Sequence, residues 1–171
     1  MTQQTKEQGT LDRLTKTQEM VYELTVGEVM ASKMVAVGTT VYALCVYDQT
    51  ANSSVLKMAT AVGPGGICGS QPCWKALSDK GWVYKSKLGN GYGITKMRVK
   101  AGAAGKPQIQ MRAKGSSLPM PAPVSGTNFF DQDPAVIVQL HSSNPANCWS
   151  STFDDQSTKK NDGVQFKAVT P

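Results

Sequence analysis

A single histidine, His141, no pair of cysteines at two-residue spacing and no Gly-x-Ser-x-Gly turn leave this sequence few ways to carry out chemistry. Nucleophilic catalysis needs a base within hydrogen-bond reach of its nucleophile and a third group to orient that base. His141 follows the run PAVIVQL and precedes Ser142 and Ser143. Neighbours on a strand point to opposite faces, so Ser142 is poorly placed for His141, which reads as a surface histidine. The cysteine spacing disfavours a zinc knuckle and a thioredoxin-like motif. Gly63 to Cys73 (GPGGICGSQPC) is Gly-rich, but no Gly-Lys-Ser/Thr and no helix start follow, which excludes a phosphate loop. No catalytic residue, metal site or cofactor is expected.

Long apolar runs are missing too. No stretch approaches the ~18–20 residues that a membrane span requires, so no transmembrane segment is expected. The opening Met1 to Lys6 has no apolar run like the core of a signal peptide. That fits either a cytosolic protein or the mature form of an exported chain with an added Met. The cysteines favour the second. There are four, Cys45, Cys68, Cys73 and Cys148, in a chain punctuated by 16 Gly and 9 Pro, and an even count in a turn-rich chain suggests disulfides. Four cysteines allow three pairings, and spacing alone dictates none. Charged residues make up only 18%, low for a cytosolic enzyme and normal for a secreted β domain; 171 residues suffice for one sizeable core.

What the chain does contain is a period of two. Met20, Tyr22, Leu24 and Val26 alternate with polar neighbours up to Gly27, and Val29, Ala31, Val35 and Val37 do so up to Gly38. Thr40 to Tyr47 is apolar on both faces and reads as a central strand covered on each side. Asp48 to Ser53 is a turn, after which Leu56, Met58, Thr60 and Val62 line one strand face. Trp82, Tyr84 and Leu88 share a face of the next strand. Residues 94–100 and 108–114 alternate around the loop AGAAGKP. Val136, Val138 and Leu140, then Trp149 and Phe153, then Val164, Phe166 and Ala168 mark the last strands. The Pro-rich run from Leu118 to Thr127 reads as extended. About ten short strands without strand–helix alternation predict an all-β fold, an antiparallel β-sandwich or jelly-roll. Leu11, Leu14 and Val21 lie at roughly helical spacing, with Thr10 as an N-cap. They allow a short helix or a polar tail over residues 1–19, ahead of a single β-sandwich domain over 20–171.

Several longer runs carry a resemblance. They are CVYD from Cys45, CGSQPCWKAL from Cys68, GWVYKSK from Gly81, YGITKMRVKAGAAGKPQIQMRAKGSSLPMP from Tyr92, DPAVIVQL from Asp133, CWSSTF from Cys148 and KNDGVQF from Lys160. Together they resemble an uncharacterised family of predicted secreted bacterial all-β modules, over roughly residues 40–171. The resemblance implies export, hence an extracellular or cell-surface location and disulfides at these cysteines. It supplies no catalytic residue.

The expected pairing is Cys68–Cys73, within one Gly/Pro-rich loop able to turn back on itself, and Cys45–Cys148, a bridge between strands near aromatic residues. The longer loop closure would contribute on the order of 4 kcal/mol in the chain-entropy model. Asp131 with Asp133 and Asp154 with Asp155 are pairs of acids that could serve glycoside hydrolysis or calcium binding. Without further oxygen ligands at regular spacing they read as solvated turn acids. Trp82 and Trp149 fall in alternating strands and are expected in the core; Trp74, in the cysteine loop, is the tryptophan best placed for exposure, with packing against the disulfide slightly preferred.

Charge is unevenly laid out. Lys75 to Lys114 holds ten basic residues and one acid, Asp79, a local +9 in a chain whose total is +6. In the two alternating segments Thr95, Met97 and Val99, and Ile109, Met111 and Ala113, point one way, and Lys96, Arg98 and Lys100, and Gln110, Arg112 and Lys114, point the other. A hairpin would place them on one outer face, which Lys85 and Lys87 would extend. These seven cations form the candidate polyanion-binding face. Acidic polysaccharide or a surface glycan is the expected partner. Nucleic acid is disfavoured, because no aromatic residues for base stacking are interleaved on that face. The plain alternative is a solvated lysine face that keeps edges unpaired. The sequence thus points to a non-catalytic extracellular binding or structural module. Self-association as the subunit of an extracellular homo-oligomeric assembly such as a filament is the second reading. A small secreted hydrolase is the third, disfavoured by the lone histidine.

Overall fold

The structure is a computed structural model and describes residues 19–25, 39–89, 92–100, 108–144 and 146–169. Of the tail or helix expected over residues 1–19, residues 1–18 lie outside the described residues, as does the alternation from Val29 to Val37, and Glu19 opens a strand. The first strands in chain order are β1 (Glu19–Thr25), β2 (Tyr42–Thr50), β3 (Ser53–Val62), β4 (Ile67–Cys68), β5 (Gln71–Pro72) and β6 (Trp74–Ala76). After them come β7 (Gly81–Lys85), β8 (Ile94–Lys100), β9 (Gln108–Lys114), β10 (Val136–Ser143), β11 (Ala146–Phe153), β12 (Thr158–Asn161) and β13 (Gln165–Val169). Among the described residues the helical content is one 3-10 turn, Ser78–Lys80. The fold is all-β, as the period of two predicts.

A large sheet has the order β12-β13-β1-β9-β8-β7-β6, and a small one the order β11-β10-β2-β3. The pairings are antiparallel except β1 with β13, which run parallel. The inner faces of both sheets meet in one apolar core. The large sheet contributes Ile94, Met97, Val99, Ile109, Met111 and Phe166; the small one contributes Leu44, Val46, Met58, Val138 and Leu140. Tyr42 of β2 and Trp74 of β6 touch across the gap, ring centroids 5.7 Å apart, and Tyr84 meets Trp74 edge-on at 5.3 Å. Trp74 is buried, its indole N–H donating to the Gly63 carbonyl at 3.0 Å. Each large side chain so buried stabilises the fold by about 1.5–3 kcal/mol relative to exposure.

The Pro-rich run forms no strand, and it leads into a segment whose backbone polar groups need other partners. Asn161 supplies some. Its Oδ1 accepts from the amides of Phe129 at 2.9 Å and Phe130 at 3.0 Å, and its Nδ2 donates to the Phe130 carbonyl at 2.9 Å. The fully buried Asp48 supplies the next two, its carboxylate accepting from the amides of Asp131 and Gln132, both at 2.9 Å. Phe129 and Phe130 are thereby held in the core. Phe130 stacks edge-on against Phe166 with centroids 4.9 Å apart.

Four sequence expectations need correction. Leu56 is not on the inner face with Met58: a bulge after Val46 pairs Tyr47 with Leu56 and skips Lys57, which turns Leu56 outward to 51% exposure. Among the described residues β2 is central but covered on one face only. Tyr42, Leu44 and Val46 are buried while Ala43, Cys45 and Tyr47 are half-buried, because the second sheet packs on one side alone. Leu88 does not share the face of Tyr84; β7 ends at Lys85, and Leu88 sits in the following turn, 92% exposed. Thr95 is not in phase with Met97, since a bulge between Ile94 and Lys96 makes Ile94 the inward residue.

Candidate polyanion-binding face

β8 and β9 pair as the alternation predicts. Met97, Val99, Ile109, Met111 and Ala113 are buried, and Lys96, Arg98, Lys100, Gln110, Arg112 and Lys114 occupy the opposite face. The register places cations directly opposite one another. Lys85 of β7 faces Lys96 of β8, and Lys96 faces Arg112 of β9. All three are exposed. Arg112 then registers with Val21 of β1, Val21 with Lys167 of β13, and Lys167 with Lys160 of β12. Five cations therefore lie on one transverse row through six strands. With neighbouring strands ~4.8 Å apart, the row spans about 24 Å.

Other predicted residues flank this row. Arg98 pairs with Gln110 and Val83, and Lys100 with Gln108 and Gly81. Lys114 registers with Glu19. Gly81 has φ +130°, and a side chain there would collide with the Val99 carbonyl oxygen, so the strands approach closely beside Lys100. Among the described residues, the ion pair is Lys160 with Asp162 at 3.0 Å. Burial raises the Asp162 carboxyl, but the hydrogen bond from Lys160 and the amides of Val164 and Gln165 outweigh it, and the net shift is downward. Like charges directly opposite on neighbouring strands destabilise by a few tenths of a kcal/mol per pair.

Lys87 lies past the end of β7, outside the row. With Lys75, Lys85 and Leu88 it lines a groove of about 600 Å³ whose other wall is the β4–β5 hairpin. That hairpin breaks the Gly63–Cys73 loop into two short strands and is closed by the Cys68–Cys73 disulfide, Cα atoms 4.8 Å apart. The first expected bridge is therefore made.

The second is not. Cys45 and Cys148 are free thiols. Cys45 pairs with Gln139 and Cys148 with His141, so β10 runs between them and they are offset along it by two residues. Two strand spacings alone exceed the ~7 Å limit on Cα separation in a disulfide. Burial raises the Cys45 thiol, the nearby Cys148 adds to that, and a hydrogen bond with Tyr47 opposes it. His141 sits within β10, half-buried and not in a loop; its Nε2 is 3.6 Å from Cys148 Sγ and 3.4 Å from Gln139 Oε1. This contact could have been found by reading Asn144-Pro145 as a two-residue hairpin loop, which sets 141 opposite 148. The acid pairs are turn formers. Asp131 accepts from Thr50 at 2.7 Å and Asp133 from the Ala51 amide at 3.3 Å. Asp154 accepts from the amide and hydroxyl of Ser157 and the amide of Gln156, which holds its carboxyl below the ordinary range.

Lys75, Lys160 and Lys167 are the residues that the sequence reading missed. The last two join the row because β13 docks beside β1, a pairing of distant segments with no local signature. Among the described residues no group of three His, Cys, Asp or Glu side chains could hold a metal, and no helix is long and apolar enough to cross a membrane. No family model, curated protein or solved structure matches the chain.

Proposed function

We propose that the outer face of the large sheet binds a linear polyanion, acidic polysaccharide or a surface glycan, as part of a non-catalytic extracellular or cell-surface module. The observation that carries this reading is the register row Lys85, Lys96, Arg112, Lys167 and Lys160. A file of cations in register suits an extended polymer that carries many charges. The Cys68–Cys73 disulfide accords with an oxidising compartment. The test is a salt-graded heparin column. The variant Lys85→Gln/Lys96→Gln/Arg112→Gln should elute at clearly lower salt than a control with the same charge lost elsewhere, Lys57→Gln/Lys80→Gln/Lys159→Gln. Co-elution of the two would reduce the row to a solvated surface.

A second reading, a homo-oligomeric assembly such as a filament, has its own support. Among the described residues β11 is at one edge of the small sheet, and it is eight residues long without a charged side chain. β3, at the other edge, carries one charge, Lys57, and exposes Val55 and Leu56. Long uncharged edges invite strand addition from another copy. Light scattering across a concentration series decides: assembly that persists in a Val55→Lys/Ser150→Lys variant runs through some other surface.

A further inference from the structure

The end of the large sheet at the disulfide hairpin combines features that the polyanion reading does not use. Leu88 is 92% exposed and Ile67 is 68% exposed, the two most exposed large apolar side chains of the described residues. Leu88 lines the groove, and Ile67 precedes Cys68, which lines its opposite wall. Three ammonium groups, Lys75, Lys85 and Lys87, surround the same groove.

Neither apolar residue sits on a loose tail. The Leu88 turn is closed by the Gly89 amide on the Ser86 carbonyl and by the Gly93 amide, 2.7 Å from the Gly89 carbonyl oxygen. Gly89 has φ +69°, which a β-branched residue would strain. The Ile67 hairpin is held by the Cys68–Cys73 disulfide and by the Cys73 amide donating to the Gly66 carbonyl at 3.0 Å. The Lys85 amide donates to the Cys73 carbonyl at 2.8 Å, which fixes one turn against the other. The two apolar tips stand beside these cations. They suit a surface that is apolar beneath and anionic at its headgroups.

We propose that this end of the sandwich docks on an anionic lipid bilayer. Leu88 and Ile67 enter the headgroup–acyl boundary, and Lys75, Lys85 and Lys87 take the headgroup phosphates. The occupant follows from charge complementarity together with apolar exposure at the same place. The site is distinct from the cation row except at Lys85, the row's last member.

Co-sedimentation with phosphatidylglycerol–phosphatidylcholine vesicles, against phosphatidylcholine alone, tests this. Wild type should partition onto the anionic vesicles and not onto the neutral ones. Leu88→Ser/Ile67→Ser should weaken that partition by about ten-fold or more at unchanged net charge. Lys75→Gln/Lys87→Gln should weaken it comparably, while Lys96→Gln/Arg112→Gln should stay within about two-fold of wild type. Circular dichroism of each variant confirms that the fold is retained. Wild type that ignores anionic vesicles overturns the proposal, whatever the heparin column shows. So does binding that the Leu88/Ile67 variant matches in full, because charge alone would then account for it. Failure on heparin with success on vesicles removes the polyanion reading and leaves this one standing.

Discussion

The two sheets of this protein differ in how they meet their surroundings. The large sheet presents cations in register, and its edges are short and carry lysine: β6 is three residues with Lys75, and β12 four residues with Lys159 and Lys160. The small sheet has one lysine on its four strands, and its edges are eight and ten residues long. Lysine on a short edge discourages a neighbouring chain from adding a strand. The large sheet is thus guarded at its edges and offers its face, whereas the small sheet offers its edges. The proposed ligand binding and the proposed self-association use separate surfaces, so each can be tested without the other.

The largest effect should come from what both sheets share. Phe130→Ala removes a fully buried ring stacked on Phe129 and Phe166 and should cost about 3–5 kcal/mol by urea denaturation. A loss under about 1 kcal/mol would mean that the core does not depend on this crossing segment. Asp48→Asn should come next. It leaves one of two buried amides without its carboxylate oxygen, at about 1–3 kcal/mol, and should act on the small sheet's side of the sandwich. Hydrogen exchange faster at Asp131 and Gln132 than in the large sheet would localise it there.

The thiols sharpen the comparison at smaller cost. Titration of unfolded, unreduced protein should find two free thiols, rising to four after reduction. In the native state iodoacetamide should label the exposed Cys148 before Cys45, which is half-buried and raised by burial and by Cys148. Peptide mapping that recovers a Cys45–Cys148 bridge would contradict the strand order of the small sheet.

Asp154 gives a pH test. Its folded carboxyl lies below the ordinary value because Ser157 and Gln156 donate to it. The group therefore adds stability above its unfolded pKa of about 3.9, and that stability is lost as pH falls through the lower folded value. Asp154→Asn should lower the Tm slightly near neutral pH, and the gap should close in acid; a gap that is constant with pH would assign the effect to something other than the carboxylate. Smallest of all, Lys96→Thr should raise stability by a few tenths of a kcal/mol, since it removes a charge lying opposite both Lys85 and Arg112.

How much of this was legible depended on the range of the interaction. The all-β fold, the outward file of Lys96, Arg98 and Lys100 and its counterpart on β9 follow from alternation, which is local. The Cys68–Cys73 bridge follows from a loop short enough to close on itself. Leu56 and Thr95 were misplaced because a bulge shifts the phase by one residue, and nothing in a period-two pattern announces where the extra residue falls. Trp74 is buried, as the preference for packing over exposure has it, but its ring partners are Tyr42 of the other sheet and Tyr84, which no local pattern announces.

The sequence by itself therefore determined the class of the fold, the sign and location of the charge and the local staple. Each of these rests on local alternation, on composition or on a short loop, without reference to which strands pair. Tertiary structure alone decided that Lys167 and Lys160 complete the row, that β10 holds Cys45 and Cys148 apart, and that Lys75, Lys87 and Leu88 surround one groove. The order of strands in a sheet decides each of these, and that order is set by which apolar faces bury one another across the core.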